Sequence, residues 1–159
     1  MATTLRPARE EDEAFMRALY ASTRAEEMAL VDWTPEQKQA FTDMQFDAQR
    51  THYEQAYPNM DDRIIERDGN AVGRLRVARL AGEVRLVDLA LLPEQRDSGI
   101  GTALLHDLMA EAQQTHKRLT LHVEVFNPAL HLYERLGFVK LADKGVYWFM
   151  EWRPPQIES

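Results

Sequence analysis

The sequence has no cysteine among its 159 residues. That excludes a disulfide scaffold, a cysteine-based zinc site, an iron–sulfur cluster and a thiol nucleophile. Glycine and proline are scarce, at seven each, which excludes collagen-like and linker-like chains. No apolar run approaches the roughly 20 residues of a membrane-spanning helix. The opening Met1-Ala2-Thr3-Thr4 lacks the basic and apolar regions of a secretory signal. A cytoplasmic location is therefore expected, with no membrane partner. Basic residues are outnumbered: 19 Lys and Arg face 26 Asp and Glu, for a formal net charge of −7. A chain of that sign is a poor general ligand for DNA or RNA, so no nucleic acid is expected either. His52, His106, His116, His122 and His131 show no metal-ligand spacing, and no metal site is expected.

Apolar residues make up 45% and charged residues 28%, the balance of a globular chain rather than a disordered one. At this length folding buries about 68–70% of the unfolded chain's surface, enough for a real core. No internal repeat or linker interrupts the chain, so residues 1–153 read as one domain, with 154–159 as a short tail. Thr3 to Arg6 reads as a strand. Glu10 to Thr23 reads as a helix with Ala14, Phe15, Ala18 and Leu19 on one face. Thr34-Pro35-Glu36-Gln37 has the form of a capping box with proline in the first turn. The helix that follows places Phe41, Met44, Ala48, His52 and Ala56 on one stripe.

Beyond Tyr57-Pro58 the period changes from helix to strand. Arg63 to Glu66, Ala71 to Leu80 and Val84 to Leu92 read as strands, joined by turns at Asp68-Gly69 and Ala81-Gly82. Gly99 to Thr115 reads as a helix and Leu119 to Val125 as a strand. Asn127-Pro128 opens a short helix as N-cap and first residue, and Gly137 closes it. Val139 to Leu141 and Val146 to Trp152 form a last hairpin about Lys144-Gly145. Helices separated by strands around a mixed sheet give an α/β or α+β domain.

The segment that carries chemistry is Leu89-Ala90-Leu91-Leu92-Pro93-Glu94-Gln95-Arg96-Asp97-Ser98-Gly99-Ile100-Gly101-Thr102. An apolar strand is followed by a short loop and a helix that opens with two glycines. Amides at a helix start have no partner within the helix, and the macrodipole adds positive potential. Glycine lets an anion approach the backbone. The spacing allows two readings: an anion site for a phosphate or pyrophosphate, or a glycine-softened turn. A P-loop is excluded because Thr102, not lysine, follows the second glycine; Leu104 excludes the dinucleotide fingerprint.

Arg96-x-x-Gly99-x-Gly101 resembles the Gln/Arg-x-x-Gly-x-Gly/Ala signature of the GCN5-related N-acetyltransferase (GNAT) superfamily. A second block, Asn127-Pro128-Ala129-Leu130-His131-Leu132-Tyr133-Glu134-Arg135-Leu136-Gly137-Phe138, is similar to that family's Asn…Ala…Leu-Tyr-Glu-x-x-Gly-Phe segment. Leu5-Arg6-Pro7-Ala8 with Asp12, and Met150-Glu151-Trp152, resemble its usual opening and ending. The resemblance implies the acyl-CoA N-acyltransferase fold, a mixed and mostly antiparallel sheet splayed between strands 4 and 5 and flanked by helices. It implies acetyl-CoA as co-substrate, with the pantetheine arm on the backbone of Leu89, Ala90 and Leu91. The pyrophosphate then falls on the amides of Arg96, Asp97, Ser98, Gly99, Ile100, Gly101 and Thr102. Asp97 and Ser98 depart from the glycine and basic residue common there, and an acid beside a pyrophosphate is unfavourable unless it points away.

The resemblance also gives Tyr133 the role of general acid toward the leaving thiolate, where the plain alternative is an aromatic packing its helix on the sheet. Asn127 falls near the cofactor in the family and has an ordinary role as a cap. Asp88 is a charge inside an apolar strand. It suits a base, directly or through water, or an anchor for an ammonium acceptor, and equally a salt-bridged strand residue. His122 and Glu124 share one face of the next strand and invite the same two readings. Glu26, Glu27, Met28, Trp33 and Tyr53 fall where the family often lines its acceptor pocket, or serve as ordinary core and surface. The expected activity is direct acetyl transfer to a primary amine of a small molecule or peptide, by a homodimer if the family habit holds. The alternatives are a CoA-binding sensor or interaction module without turnover, and transfer of another acyl group or to an alcohol.

Overall fold

In the computed structural model, residues 3–155 are described. The elements run β1 (Thr3–Pro7), a 3-10 turn (Glu10–Asp12), α1 (Glu13–Thr23), α2 (Ala25–Ala29), α3 (Pro35–Ala56), β2 (Asp61–Arg67), β3 (Asn70–Arg79) and β4 (Glu83–Leu91). A second 3-10 turn (Pro93–Gln95) leads to α4 (Ile100–Gln114), β5 (Arg118–Glu124), α5 (Ala129–Arg135), β6 (Val139–Asp143) and β7 (Tyr147–Trp152). The strands hydrogen-bond in the order β1-β2-β3-β4-β5-β7-β6. The pairs β1–β2, β5–β7 and β6–β7 are antiparallel, and β4–β5 is parallel from Glu83↔Arg118 to Leu86↔Leu121. This is the mixed, mostly antiparallel sheet with flanking helices that the family resemblance implies. The chain divides into two compact units interleaved in sequence, residues 1–76 with 88–96, and residues 77–87 with 97–159.

In the first unit, Thr34 Oγ1 accepts from the Gln37 amide at 3.1 Å and Gln37 Oε1 accepts from the Thr34 amide at 2.9 Å, closing the capping box at the start of α3. Asp68 and Gly69 both take positive φ, 53° and 84°, as a tight hairpin turn requires. Two expectations change. Residues 10–23 are not one helix, because the Asp12 carboxylate turns back onto the Arg9 amide (2.8 Å) and Arg6 (2.8 Å), and a 3-10 turn precedes α1. The stripe expected on α3 is also displaced. Met44, Ala48, His52 and Ala56 are exposed, while Thr42 and Phe46 are buried. Phe46 joins Met16 and Ile64 in the core, and the guanidiniums of Arg17 and Arg50 lie 4.6 and 4.8 Å from its ring centroid. On α1 the same core takes Met16 with Phe15 and Tyr20 beside it, leaving Ala14 and Ala18 exposed.

In the second unit, Leu119, Leu121 and Val123 alternate on one face of β5, buried with Val84, Leu86 and Met150, and α4 and α5 pack against β5. The alternate residue Thr120 is buried too and accepts from Arg85 Nε at 2.7 Å. Glu151 is buried between Arg118 and Arg153, at 2.7 Å from each. Burial pushes its carboxyl up, and the two guanidiniums outweigh that and hold it below the ordinary glutamate value. The short helix starts one residue later than its sequence suggests: Pro128 caps it, and Asn127 Oδ1 accepts from the Ala129 amide at 2.9 Å. Gly137 closes it at φ 100°. Pro154 is buried, and residues 156–159 of the expected tail lie outside the described residues.

Candidate active site

The turn after β4 is held by its own backbone. The Leu92 amide donates to Val72 O at 2.9 Å, and the Gln95 amide to Leu92 O at 2.9 Å. Arg67 Nη1 donates to Gln95 Oε1 at 2.9 Å, and the exposed Arg96 reaches back from Nε to Leu91 O at 3.2 Å. Asp97 then takes φ 60° and Gly99 φ 89°, two left-handed residues in three. Aspartate tolerates that region better than most side chains, which is how Asp97 stands where the family favours glycine. A Cβ built on Gly99 meets nothing within 4 Å, so only its φ demands glycine.

Gly99 is the N-cap of α4, and no side chain caps that helix; its first turn holds no acid. Ile100 is buried and roots the turn, while residues 96–99 are exposed. The contrast with α3 is instructive. There Thr34 fills the cap and Glu36 sits in the first turn. Helix α4 instead presents uncapped amides and a positive dipole end to solvent, an arrangement that favours an anion.

Leu89, Ala90 and Leu91 are half-buried on β4 in the first unit. Their backbone lies hard against Gly73 of β3. A Cβ there would collide with Ala90 O and stand 2.8 Å from Leu91 Cδ2. Asp88 is not a lone charge in this strand. Its Oδ2 accepts from Arg76 Nη2 at 2.8 Å and Nε at 3.3 Å. Arg76, a β3 residue only 4% exposed, also donates from Nη2 to Gln49 Oε1 at 2.9 Å and lies 4.8 Å from the Tyr53 ring centroid. Arg76, Gln49 and Gly73 are residues that sequence reasoning passed over. The signal for Gly73 was a glycine inside a strand, which marks a close backbone approach.

Asp97, Ser98, Gly99, Ile100, Gly101, Thr102, Asn127 and Tyr133 belong to the second unit, and Asp88 to Leu91 with Arg96 to the first. Tyr133 is buried on α5, its ring centroid 5.7 Å from that of Phe138. His122 is exposed on β5 with its ring 4.9 Å from Phe149. Packing there removes water, and with the Arg85 and Lys144 cations this holds the imidazole below its ordinary value, against the pull of Glu83. Glu124 is half-buried on the same strand. Glu26 and Glu27 are exposed on α2, where Glu27 pairs with Arg24 at 2.9 Å, and Met28 is half-buried. Trp33 meets Phe41 edge-on at 5.3 Å beside a shallow cleft of about 320 Å³ lined by Gln37 and Ala40. Among the described residues, no helix is long and apolar enough to cross a membrane, and no group of three or more His, Asp or Glu suits a metal ion.

Residues 15–138 match the model of the acetyltransferase (GNAT) family. The fold is similar to that of the PaiA N-acetyltransferase from Thermoplasma acidophilum, solved in complex with coenzyme A. The TM-score is 0.72 at 18% identity, covering 97% of this chain and 100% of that one. An acetyltransferase from Thermus thermophilus aligns with TM-score 0.69 at 17% identity over 97% and 98% of the two chains. A protein described as histone acetyltransferase HPA2 and related acetyltransferase, from Corynebacterium glutamicum, aligns with TM-score 0.66 at 22% identity over 100% and 99%.

Proposed function

Because the chain belongs to the acetyltransferase (GNAT) family, we propose that it transfers an acetyl group from acetyl-CoA directly to a primary amine of a small molecule or peptide. The observation that carries this reading is the uncapped, acid-free N-terminus of α4 behind a left-handed Gly99 with open space at its Cβ. A pyrophosphate fits that chemistry, and coenzyme A is the molecule bound in the Thermoplasma acidophilum relative. The amides of Gly99 to Thr102 would hold the phosphates, and the backbone of Leu89, Ala90 and Leu91 the pantetheine arm. When bound, acetyl-CoA supplies an acetyl group activated as a thioester.

The chain's own residues bind, orient and handle protons. Asp88, fixed by Arg76, offers a carboxylate oxygen to the acceptor's N–H. Tyr133 Oη is the proton donor to the departing thiolate. No cysteine exists to carry the acetyl group, so a path through a cysteine thioester is closed and direct transfer is the step proposed. Positioning two substrates is itself a large part of such catalysis. The family match runs through both compact units, which supports treating residues 1–153 as one domain. A cytoplasmic homodimer is part of the same proposal, by analogy with the family.

The experiment is calorimetric titration of acetyl-CoA into the protein and its Gly99→Glu variant, followed by an amine-panel assay for free thiol. The variant adds bulk and negative charge where the phosphates approach. Binding by the parent and severe loss in a variant with an unchanged circular dichroism spectrum support the reading. Equal affinity in both would remove the cofactor assignment. Binding without thiol release from any amine would leave a CoA-binding module in its place.

A further inference from the structure

A buried guanidinium has five N–H donors to satisfy, and Arg76 satisfies only part of its set. Nε and Nη2 serve Asp88 Oδ2, and Nη2 also serves Gln49 Oε1. Nη1 makes no hydrogen bond among the described residues. It is not fully sealed either: among the described residues the buried side-chain atoms with no hydrogen-bond partner are Gln45 Oε1 and Glu83 Oε2, so Nη1 keeps some exposure. Asp88 is the complementary case. Both of its bonds to Arg76 use Oδ2, Oδ1 has no partner among the described residues, and the side chain is 25% exposed. All four partners, Arg76, Asp88, Gln49 and Tyr53, belong to the first unit.

One locked ion pair therefore offers a free cationic donor and a free anionic acceptor. The pair is neutral as a whole, so it does not select for net charge. A plain amine satisfies Oδ1 and leaves Nη1 to water. A plain carboxylate satisfies Nη1 while approaching the like charge of Asp88. A small molecule carrying both groups at a spacing that matches Nη1 and Oδ1 would satisfy both ends at once. Gln49 and the Tyr53 ring hold the guanidinium in one orientation, so little rotamer freedom remains to be lost on binding.

We propose that the acceptor is an amino-acid-type molecule, its amine donating to Asp88 Oδ1 and its carboxylate accepting from Arg76 Nη1. The inference rests on the acetyltransferase reading and names the substrate class for it. Arg76 then binds substrate as well as positioning Asp88.

The test uses matched pairs: lysine with cadaverine, tyrosine with tyramine, arginine with agmatine, histidine with histamine. Saturation-transfer NMR on the full chain reads binding of each, with and without CoA, and thiol release from acetyl-CoA reads turnover. At least one amino acid should bind and react about tenfold or more better than its decarboxylated partner, the scale of one charge-assisted hydrogen bond. Arg76→Lys keeps the charge without the fork and should erase that ratio. Gln49→Ala leaves the ion pair in place, frees the fork and should reduce the ratio, which covers an Arg76→Lys protein that fails to fold. Equal response to both members of every pair overturns the proposal, and so does silence from all of them. Failure of acetyl-CoA to bind in calorimetry strikes the acetyltransferase reading instead, because the carboxylate ratio is also read without CoA.

Discussion

Asp97 is the residue at which the loop departs most from what the proposed phosphate site asks for, and replacing it gives a worked prediction. It precedes Gly99 by two positions and adopts φ 60° on the exposed approach to α4. Two residues of chain span at most about 7 Å, and a carboxylate that points away from the loop adds a little to this, so about 8 Å is taken as its distance from a phosphate bound at Gly99 to Thr102. At about 8 Å in bulk water, one pair of like charges costs about 0.5 kcal/mol. A pyrophosphate with two charges doubles that to about 1 kcal/mol, about fivefold in Kd. Asp97→Asn removes the charge and keeps a side chain that tolerates the left-handed region. It should tighten acetyl-CoA binding about three- to tenfold at low salt, and most of the gain should vanish at ~1 M salt, where the screening length falls to ~3 Å. Asp97→Gly should add a small conformational gain in the native state, offset in part by the larger freedom of glycine in the unfolded chain. Titration calorimetry at two ionic strengths measures both variants. An Asp97→Asn protein that binds no tighter at low salt, or whose gain ignores salt, refutes the placement of phosphate at this loop.

Gly73→Ala should lower stability by about 1–3 kcal/mol, because its Cβ collides with Ala90 O and a rigid strand cannot yield; thermal unfolding checks it, and an unshifted Tm would sink the close-approach argument. Arg6 hydrogen bonds hold the Asp12 carboxyl down to about 2 from 3.8, against the opposing effect of burial. That stabilisation is complete above the unfolded value and is lost as pH falls from about 4 through 2, by roughly 1–2 kcal/mol after solvent screening. Asp12→Asn should flatten this part of a pH–stability curve. Tyr133→Phe keeps the ring beside Phe138 and should lower kcat by about 10²- to 10⁴-fold with acetyl-CoA affinity intact. A change under about threefold, with chemistry rate-limiting, would leave Tyr133 a packing residue.

The parts of the fold that were legible in the sequence are those decided within a few residues. Thr34 and Gln37 satisfy each other's backbone across one turn, and Asp68-Gly69 supplies its own positive φ, so neither depends on distant partners. The face of α3 is a different matter. Its 22 residues carry apolar side chains on more than one stripe, and spacing alone favoured the one through Met44 and Ala48. What turned the helix was long-range: Phe46 meets Met16 and Ile64, and two arginines lie over its ring. A helix with a weak stripe takes its orientation from its neighbours, which its own periodicity does not encode.

The site divides along the same line. The left-handed turn at Gly99 was legible because glycine at a strand-to-helix junction states the backbone's requirement directly. Asp88 was noticed as a charge out of place, but its partner was not, because an arginine in a strand reads as solvent-facing. The hairpin between them held the missing step. Arg76 and Asp88 stand on either side of the turn at Ala81-Gly82, and strands joined there bring the two together, as Gly73 is brought against Ala90. Two opposite charges flanking one turn inside apolar strands point to each other, since each alone would be expensive to bury. The pair also fixes what kind of ligand can complete it. The residual donor on Arg76 and the residual acceptor on Asp88 are of opposite sign and held on one rigid hairpin, so the recognition they offer is for a molecule of two charges, not for an amine alone.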